Sequence, residues 1–511
     1  FRRVLFRSLK SCFQKLLMNF TWWVNRKDRS GRNVFEGGFL GLDNIGVFNR
    51  SAPINGGMQL EQADGTAWMG MYALNLLDIA LEIAMNDRSF EDAATKFFEQ
   101  FVLIAEALNH HGMWNDEDKF FYDTLSIGGT TPLQLKIQSV VGLTSLFAVS
   151  VIQKKMLDKL DDFDKRISWF EQYRLKNKLF WPNEEHGEKD EILVSLLPKN
   201  RLVSLLTRLL SETEFLSDNG IRALSRQYEK TPYSVNIGGI DYTIQYDPGD
   251  STSDFFGGNS NWRGPVWFPM NYLIIRSIRR YGDFYGDALK VEYPKGTGKN
   301  LNLLQVADEL TLRLAHIFIP DETGHRPVFG EYSEFYTRPG NENLVLFFEY
   351  FHGDTGKGLG ASHQTGWTAL IADLLERMRK KGGRDLRKSV AYRDAQETLQ
   401  KLACANLEDS VADRELRETY DRFEMLVNKA QENAITQQRS WVLVWENNQV
   451  LLQPDNPTPE EKIAGHAEGA DSLIFVEGEM YTINRPAALL PPKEVPGEWP
   501  FWRSGTCEPV T

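Results

Sequence analysis

The sequence predicts an all-α protein in which buried and amphipathic helices alternate around a ring. Three segments share one design: a polar or glycine-rich turn, then a tryptophan, then an apolar helix. They begin at Asp64, Asn261 and His363. Each of these helices is apolar around most of its surface, which indicates burial on all sides and an inner position. Segments that start at Phe90 and Lys154 combine helical apolar spacing with a charged face, which indicates outer helices.

This alternation over about 360 residues, at roughly 30 residues per helix and turn, predicts about a dozen helices in two concentric layers. Strand signals in this region are few and short, such as VNIGGIDYTIQY near Val235. The economical architecture is therefore an α/α toroid, in which the loops at one end of the inner helices meet at a central cavity. The apolar run from Val140 to Ile152 is shorter than the roughly 20 residues of a membrane-spanning helix and is predicted to be a buried helix.

The character of the chain changes near residue 381, and we divide it into four parts. Residues 1–18 are expected to be a truncated or artefactual start, and residues 19–381 form the toroid. Residues 382–440 are a long charged helical segment, which we interpret as an arm. Residues 441–511 combine short strand-like runs with a proline-rich end and are predicted to form a small β appendage.

Composition excludes several classes of function. The chain has 511 residues and a net charge of −12, which argues against a broad surface for nucleic-acid phosphates. The cysteines, Cys12, Cys404 and Cys507, are too few and too scattered for a disulfide framework or a zinc site. An acidic chain with few cysteines favours the cytoplasm, although an export signal could precede the sequence. The oligomeric state is left open.

No metal or cofactor is expected. Asp247, Asp250 and Asp254 loosely resemble a calcium loop, but their spacing lacks the glycine and glutamate of the standard pattern. His352 and His363 fit no zinc-binding pattern of cysteine and histidine.

Two carboxylic acids lie in unusual settings. Asp43 is in the apolar, glycine-rich segment GGFLGLDNIGVFNR, and Glu349 is flanked by aromatic residues in LFFEYF. A cavity lined by tryptophans and carboxylates is typical of glycoside hydrolysis, in which one acid protonates the departing oxygen and the other activates water. Apolar neighbours should raise the pKa of an acid that must stay protonated, although the sequence alone does not tell which carboxyl titrates higher. A buried, hydrogen-bonded structural role is the alternative for each residue.

Four motifs in order resemble the catalytic domain of glycoside hydrolase family 63, the family of processing α-glucosidases and their bacterial relatives. They are GGFLGLDNIGVFNR, GTAWMGMY, NWRGPVWFPMNYL and EYFHGDTGKGLGASHQTGWTAL. The resemblance implies an (α/α)6 barrel and inverting hydrolysis of an α-glycosidic bond without a metal in the chemistry. It implies that Asp43 is the general acid and Glu349 the general base.

The resemblance also implies that Trp262, Arg263, Gly264 and Trp267 line a sugar subsite. The remaining residues that we predict to bind substrate are Trp22, Trp23, Phe35, Glu36, Asn44, Arg50, Asp64, Trp68, Tyr350 and Trp367. Trp22 and Trp23 could equally cap the barrel, and Asp64 could equally cap a helix.

Departures from the family pattern leave the substrate open. Tyr350 stands where the eukaryotic enzymes have glutamine, and Arg50 follows Asp43 at a greater spacing. A β-rich domain that commonly precedes the barrel has no counterpart before Trp22, so the chain is expected to be a fragment. A non-catalytic carbohydrate-binding toroid is one alternative function. A sugar epimerase or lyase on the same fold is the other, and it would need a histidine or tyrosine base.

Overall fold

The computed structural model describes most of the first 380 residues and four later strands. The described residues are 2–25, 33–35, 41–48, 50, 58–127, 132–182, 185–187, 190–252, 260–321, 323–341, 344–380, 441–446, 449–454, 472–474 and 498–501. The chain forms two compact units, Phe1–Thr398 and Leu399–Thr511. The predicted charged arm, residues 382–440, and Glu36 lie outside the described residues.

The first unit is mainly helical and carries small antiparallel sheets. Its α-helices are α1 (Arg2–Val24), α2 (Ala63–Ala84), α3 (Glu91–His110), α4 (Val140–Leu143), α5 (Lys154–Leu157), α6 (Asp161–Lys176), α7 (Lys199–Leu209), α8 (Phe268–Tyr285), α9 (Leu303–His316), α10 (Ser333–Tyr336), α11 (Thr365–Thr368) and α12 (Leu370–Lys380).

The strands of this unit are short. They are β1 (Met58–Glu61), β2 (Trp114–Asn115), β3 (Phe120–Phe121), β4 (Asp123–Ile127), β5 (Leu133–Leu135), β6 (Val149–Gln153), β7 (Glu185–His186), β8 (Glu191–Ser195), β9 (Leu216–Ser217), β10 (Gly220–Ile221), β11 (Tyr233–Ile237), β12 (Ile240–Ile244), β13 (Lys290–Glu292), β14 (Asn300–Asn302), β15 (Tyr350–Phe351) and β16 (Gly358–Leu359). Two three-stranded sheets have the orders β1-β4-β5 and β6-β8-β7, and the other strands form two-stranded pairs.

Helix α2 lies in the interior, as its apolar sequence predicts. It packs against α1 on one side and α3 on the other, and α3 in turn packs against the amphipathic helix α6. Phe13 and Phe20 of α1 are buried and meet Phe97 of α3 edge to face, with ring centroids 5.8 and 5.4 Å apart. Helix α1 therefore runs across the predicted boundary at residue 18 and contributes to the core.

Helices α8, α9 and α12 form a second group and pack against one another. Between the two groups, the strand signal near Val235 is a hairpin of β11 and β12 in which Ile237 pairs with Ile240. Its two turn residues, Gly238 and Gly239, have φ of 63° and 85°, which is the backbone of the tight turn that joins twisted antiparallel strands.

Two helix predictions are wrong in detail. The run from Val140 to Ile152 is buried, but it forms the short helix α4, a 3₁₀ turn and then strand β6, which pairs with β8. The β-branched residues of β6 favour a strand once β8 offers a partner. The segment from Lys154 is two helices, because the chain leaves helical geometry at Leu160, where φ is −113° and ψ is 64°.

One helix among the described residues, Ala63–Ala84, is long and apolar enough to cross a membrane by length and composition. Its most apolar window is 61% buried inside the protein, as is usual for the core helix of a globular domain. This is weak evidence for a span.

The second unit contains four described strands, β17 (Trp441–Glu446), β18 (Gln449–Pro454), β19 (Ser472–Ile474) and β20 (Glu498–Phe501). They form an antiparallel sheet in the order β19-β18-β17-β20. Strands β17, β18 and β19 coincide with the strand-like runs that predicted a β appendage, whereas β20 lies in the proline-rich end, where no strand was predicted. The domain boundaries themselves remain predictions.

A pair of substitutions in α1 tests whether this helix belongs to the folded core. Phe13 is 3% exposed, so Phe13→Ala should lower the free energy of unfolding by about 3–5 kcal/mol. Met18 is 75% exposed, and Met18→Ala should change it by less than about 0.5 kcal/mol. Urea titration of the two variants measures both values, and equal small effects would show that α1 does not pack as described.

Candidate active site

Asp43 lies in a loop, residues 41–48, that we call the Asp43 loop. Gly41 and Leu42 before it have φ of 73° and 64°, and a left-handed backbone at leucine is uncommon and strained. Leu42 and Ile45 point into the core, at 3% and 1% exposure, and the Ile45 N–H donates to the Leu42 carbonyl over 3.1 Å. Asp43 itself is half-buried, and burial raises the pKa of its carboxyl above the usual value.

Asn44 joins this loop by hydrogen bonds to the segment that carries the tryptophan motif. Its Nδ2 donates to Asn261 Oδ1 over 3.0 Å, and its Oδ1 accepts the Trp262 N–H over 2.7 Å. Its carbonyl oxygen accepts from Arg263 Nε over 2.7 Å. Because Asn44 and Asn261 are 1% and 0% exposed, these hydrogen bonds are made without competition from water.

A column of aromatic rings runs from this junction into the domain. Trp262 stacks on Trp267 with centroids 3.9 Å apart and planes 5° from parallel, and Trp267 stacks on Tyr350 at 4.7 Å and 20°. Trp367 meets Trp267 edge to face at 6.2 Å. Trp267 and Tyr350 are only 2% and 1% exposed, so they support the site from within, and Trp262 at 9% and the half-buried Trp367 lie nearer its surface.

Glu349 is attached to the far end of this column, directly before Tyr350. Its N–H donates to the Ala361 carbonyl over 2.8 Å, and its Oε2 accepts the Ala361 N–H over 3.2 Å. The Trp367 indole N–H donates to the Glu349 carbonyl over 3.1 Å. The carboxylate lies so close to Gly360 that a Cβ there would be 2.7 Å from Glu349 Oε2, and Gly360 has φ of 70°.

Asp43 and Glu349 are thus joined through one continuous set of contacts. The path runs from the Asp43 loop through Asn44 to Trp262, then along the ring column to Tyr350 and Glu349. Val266 adds a backbone link, since its N–H and carbonyl exchange hydrogen bonds with Phe351 at 2.8 and 3.0 Å. Residues about 300 apart in sequence are held in one rigid frame, which a reaction needing two aligned groups requires.

Gly264 allows the close approach of loops behind this frame. A Cβ at Gly264 would lie 2.8 Å from the Tyr246 ring and 3.0 Å from the Asp247 carbonyl oxygen. Packing alone therefore explains why residue 264 has no side chain, and this is an alternative to its predicted contact with sugar.

Arg50 and Asp64 form a buried ion pair with each other. Arg50 Nη1 donates to Asp64 Oδ2 over 2.8 Å, and Arg50 Nη2 contacts both Asp64 Oδ1 and, at 3.2 Å, Asp123 Oδ2. Asp64 is 0% exposed and Arg50 6%, so neither side chain is presented to a ligand. This geometry does not support the predicted contact of these two residues with sugar. It assigns them to the framework that joins residue 50 to the start of α2.

The remaining predicted residues lie at varied depth. Phe35 is 6% exposed and its N–H donates to Thr66 Oγ1 over 3.2 Å, so it supports the start of α2. Trp68 is half-buried against Phe147, with centroids 5.3 Å apart. Trp22 is 49% exposed and meets Trp23 edge to face on α1. The predicted roles of these residues in binding remain predictions.

Sequence reasoning missed Asn261, Gly360 and Asp250 as parts of the site. Asn261 Nδ2 donates to the Asp247 and Gly249 carbonyls, both over 2.8 Å, and its Oδ1 accepts from the Asn44 amide and, at 2.9 Å, from the Arg263 N–H. Tyr350 donates its hydroxyl to Asp250 Oδ1 over 3.3 Å. For Asn261, the signal in the sequence was its position directly before the tryptophan motif.

The described residues contain no group of three or more metal-ligating side chains. Asp247, from the loose calcium pattern, accepts instead from the Thr252 N–H and hydroxyl over 2.9 and 2.8 Å. His352 Nδ1 accepts the N–H groups of Asp354 and Thr355, each over 3.2 Å, and burial lowers the His352 pKa. Asp254 lies outside the described residues.

Sequence comparison finds a family that part of this chain resembles. Residues 150–368 match the family model described as the mannosylglycerate hydrolase MGH1-like glycoside hydrolase domain. This part of the chain is similar to a glycoside hydrolase domain, and the resemblance to family 63 that the motifs indicated is confirmed. The matched segment contains Trp262, Trp267 and Glu349 but not Asp43.

Two relatives are similar to this chain over part of its length, and one of them carries a glucosidase name. The chain is 48% identical over 384 residues to an uncharacterized protein of Saccharomyces cerevisiae, covering 71% of this chain and 35% of that protein. It is 27% identical over 188 residues to a probable mannosyl-oligosaccharide glucosidase of Schizosaccharomyces pombe, covering 36% of this chain and 16% of the relative. The chain thus spans about a third of the length of one relative and less than a fifth of the other.

Solved structures give a weaker likeness. A mannosylglycerate hydrolase of family GH63 from Thermus thermophilus, in complex with glucose, is 14% identical over 74% of this chain and 71% of its own, with a TM-score of 0.37. No residue correspondence follows from a likeness of this size.

Gly360→Ala tests the contact between Gly360 and the Glu349 carboxylate. The new Cβ would meet Glu349 Oε2 at 2.7 Å in a left-handed backbone, so we expect overpacking to cost about 1–3 kcal/mol beyond the backbone strain. Gly324→Ala is the matched control, because Gly324 has φ of 82° with open space around it and should show the strain alone. Denaturant titration measures both, and equal losses would contradict the described position of Glu349.

Asp123 should make stability depend on pH. Burial raises its pKa to about 6 although Arg50 lowers it, so the folded protein holds this proton more tightly than the unfolded chain. The free energy of unfolding should therefore fall as pH rises from about 4, the ordinary pKa of an aspartate, through the raised pKa of Asp123. Asp123→Asn should remove that part of the dependence in thermal unfolding across this range. The exposed Asp218→Asn should leave it unchanged, and identical slopes for wild type and Asp123→Asn would refute the assignment.

Proposed function

We propose that this chain is an inverting glycosidase that hydrolyses a terminal α-glycosidic bond, with Asp43 as general acid and Glu349 as general base. One observation carries the proposal. The two carboxyl groups lie at opposite ends of one frame of hydrogen bonds and stacked rings, and they have different surroundings. Environments that separate the roles of two carboxyls are a general feature of glycoside hydrolysis.

In the proposed reaction, the protonated Asp43 donates its proton to the glycosidic oxygen as the bond to the anomeric carbon breaks. Glu349 removes a proton from a water molecule, whose oxygen attacks the anomeric carbon from the opposite face. The sugar leaves with inverted configuration, so an α-linkage gives a β-anomer. This mechanism requires the two carboxyls to stand about 6.5–9.5 Å apart, which leaves room for the water. The raised pKa of Asp43 supports its role as the acid.

For the substrate we favour a neutral terminal α-glucoside. The family model and the Thermus enzyme point to mannosylglycerate, and the Schizosaccharomyces relative points to a glucosylated mannosyl-oligosaccharide. Arg263, which directly follows Trp262 of the ring column, donates from Nε to the Asn44 carbonyl and from Nη2 to the Gly46 carbonyl. Because its guanidinium binds these backbone carbonyls, Arg263 supports a substrate that carries no carboxylate group.

We infer that the first unit is an (α/α)6 barrel. The contacts of three inner helices support this, because the residues before or within their first turns converge. Trp267 at the start of α8 touches Trp367 of α11. Residues of the stretch that contains Asn44 and Arg50 bind both Trp262, before α8, and Asp64, in the first turn of α2. An arrangement in which the same ends of successive inner helices meet is the one that creates a central cavity in a helical toroid.

Substitution of each acid, with kcat/KM measured on two substrates that differ in leaving group, distinguishes the general acid from the general base. Asp43→Asn should lower kcat/KM for an alkyl α-glycoside by about 100-fold or more, since general acid catalysis contributes about 10²–10⁴-fold. It should affect the α-glycosyl fluoride much less, because fluoride leaves with little protonation. Glu349→Gln should impair both substrates, because water is no longer activated. With wild type, activity should fall as pH rises through the pKa of Asp43, and this limb should vanish in Asp43→Asn.

Asp78→Asn is the matched control, because Asp78 is another partly buried carboxyl whose pKa burial raises, near the end of α2 away from the ring column. It should keep wild-type turnover. The panel should contain α-glucosides, a glucosylated mannosyl-oligosaccharide and α-mannosylglycerate, with the anomeric proton followed by NMR. First appearance of the α-anomer would contradict inversion, and sugar binding without cleavage by the folded protein would favour a carbohydrate-binding function.

A further inference from the structure

The Asp43 loop lines a small cavity. Ile45, Val47 and Phe48 of the loop share the lining with Leu60, Leu135, Ile137 and Val141, around a space of about 20 Å³. A space of this size has room for about one water molecule. Val47 belongs to the core cluster that contains Leu60 and Ile137, and Phe48 packs against it, so apolar contacts hold this part of the loop beside the cavity.

Arg50, two residues beyond the Asp43 loop, also lines this cavity. Its guanidinium contacts Asp64 through both Nη atoms and Asp123 through Nη2. Arg50 Nε is buried and has no hydrogen-bond partner among the described residues. A planar guanidinium can bind two carboxylates in this way, whereas a lysine ammonium is a point charge and cannot reproduce the geometry.

The two carboxylates connect Arg50 to rigid elements of the fold. Asp64 lies in the first turn of α2 and its Oδ1 accepts the Gly65 N–H over 2.8 Å. Asp123 begins β4, and its Oδ1 accepts the Ala63 N–H over 2.8 Å. Both partners therefore meet at the start of α2, so the position of Arg50 is tied to a helix and to a sheet at once.

We propose that Arg50 is a positioning residue that fixes the Asp43 loop against the start of α2, so that Asp43 is aligned with Glu349. The inference rests on the proposed function of Asp43. Asn44 anchors the loop next to Asp43, and Arg50 anchors it beyond the cavity. With Arg50 removed, the loop would keep the Asn44 hydrogen bonds and the apolar contacts of Val47 and Phe48 but would lose its attachment to α2 and β4, so Asp43 would move relative to the ring column.

Arg279 provides a matched control. It is 5% exposed, it pairs with Asp308 between α8 and α9, and its Nε is also buried without a hydrogen-bond partner among the described residues. Arg279→Met and Arg50→Met each remove a buried arginine from an ion pair, but only Arg50 touches the segment of Asp43. Arg50→Lys keeps the charge and serves if Arg50→Met fails to fold.

Steady-state kinetics on the cleaved substrate give the first readout. We expect kcat to fall by about 100-fold in Arg50→Met and by less in Arg50→Lys, because a misplacement of about 1 Å costs about that factor. KM should change by less than about threefold, since substrate binding is not the function assigned to Arg50. Arg279→Met should keep kcat within about threefold of wild type although its unfolding temperature also falls.

Hydrogen exchange gives a readout that needs no activity. The Ile45 amide is protected by its bond to the Leu42 carbonyl, and we expect it to exchange about ten times faster in the Arg50 variants but not in Arg279→Met. Unchanged exchange with unchanged kcat in folded Arg50→Lys and Arg50→Met would overturn the proposal. If wild type cleaves no glycoside, the proposed function fails, and the exchange of the Asp43 loop still decides whether Arg50 holds it.

Discussion

The hydrogen bonds that join Asn44 to Asn261 and to Trp262 are the interaction on which the candidate site depends. They join segments 217 residues apart, and every polar atom of the Asn261 side chain has a partner on one of the converging loops. Both residues are buried, so loss of the Asn44 amide would leave the Trp262 N–H without its acceptor, and loss of the Asn261 amide would leave Asn44 Nδ2 without its acceptor. Each loss should cost about 1–3 kcal/mol, which makes the junction costly to disrupt.

Two of the aromatic residues predicted to contact sugar are buried in the core. Trp267 and Tyr350 are nearly inaccessible and stack between the tryptophan motif and strand β15. The stacked rings connect Trp262 to Tyr350, which directly follows Glu349. Hydrogen bonds join one end of this column to Asn44 of the Asp43 loop and hold Glu349 to Ala361 at the other.

Much of the site could be predicted because its residues lie in short motifs with unusual neighbours. Asp43 and Glu349 are acids among apolar or aromatic residues, and Asn44 and Trp262 adjoin such positions. The role of Arg50 and Asp64 could not be predicted, because a charged residue in a motif looks the same whether it binds a ligand or another charge. Asp123, which completes the cluster, belongs to no motif, and only the sheet of β1, β4 and β5 brings it there.

The sequence by itself determined where most long helices lie, and it singled out Asp43 and Glu349 as the carboxyls for which we propose catalytic roles. These properties follow from local composition and periodicity, which act over a few residues. Tertiary structure decided that Val149–Gln153 is a strand, because its partner β8 lies some 40 residues away along the chain. It also decided that Arg50 and Asp64 neutralise each other and that Trp267 is a support within the core, because pairing and burial depend on contacts between distant segments.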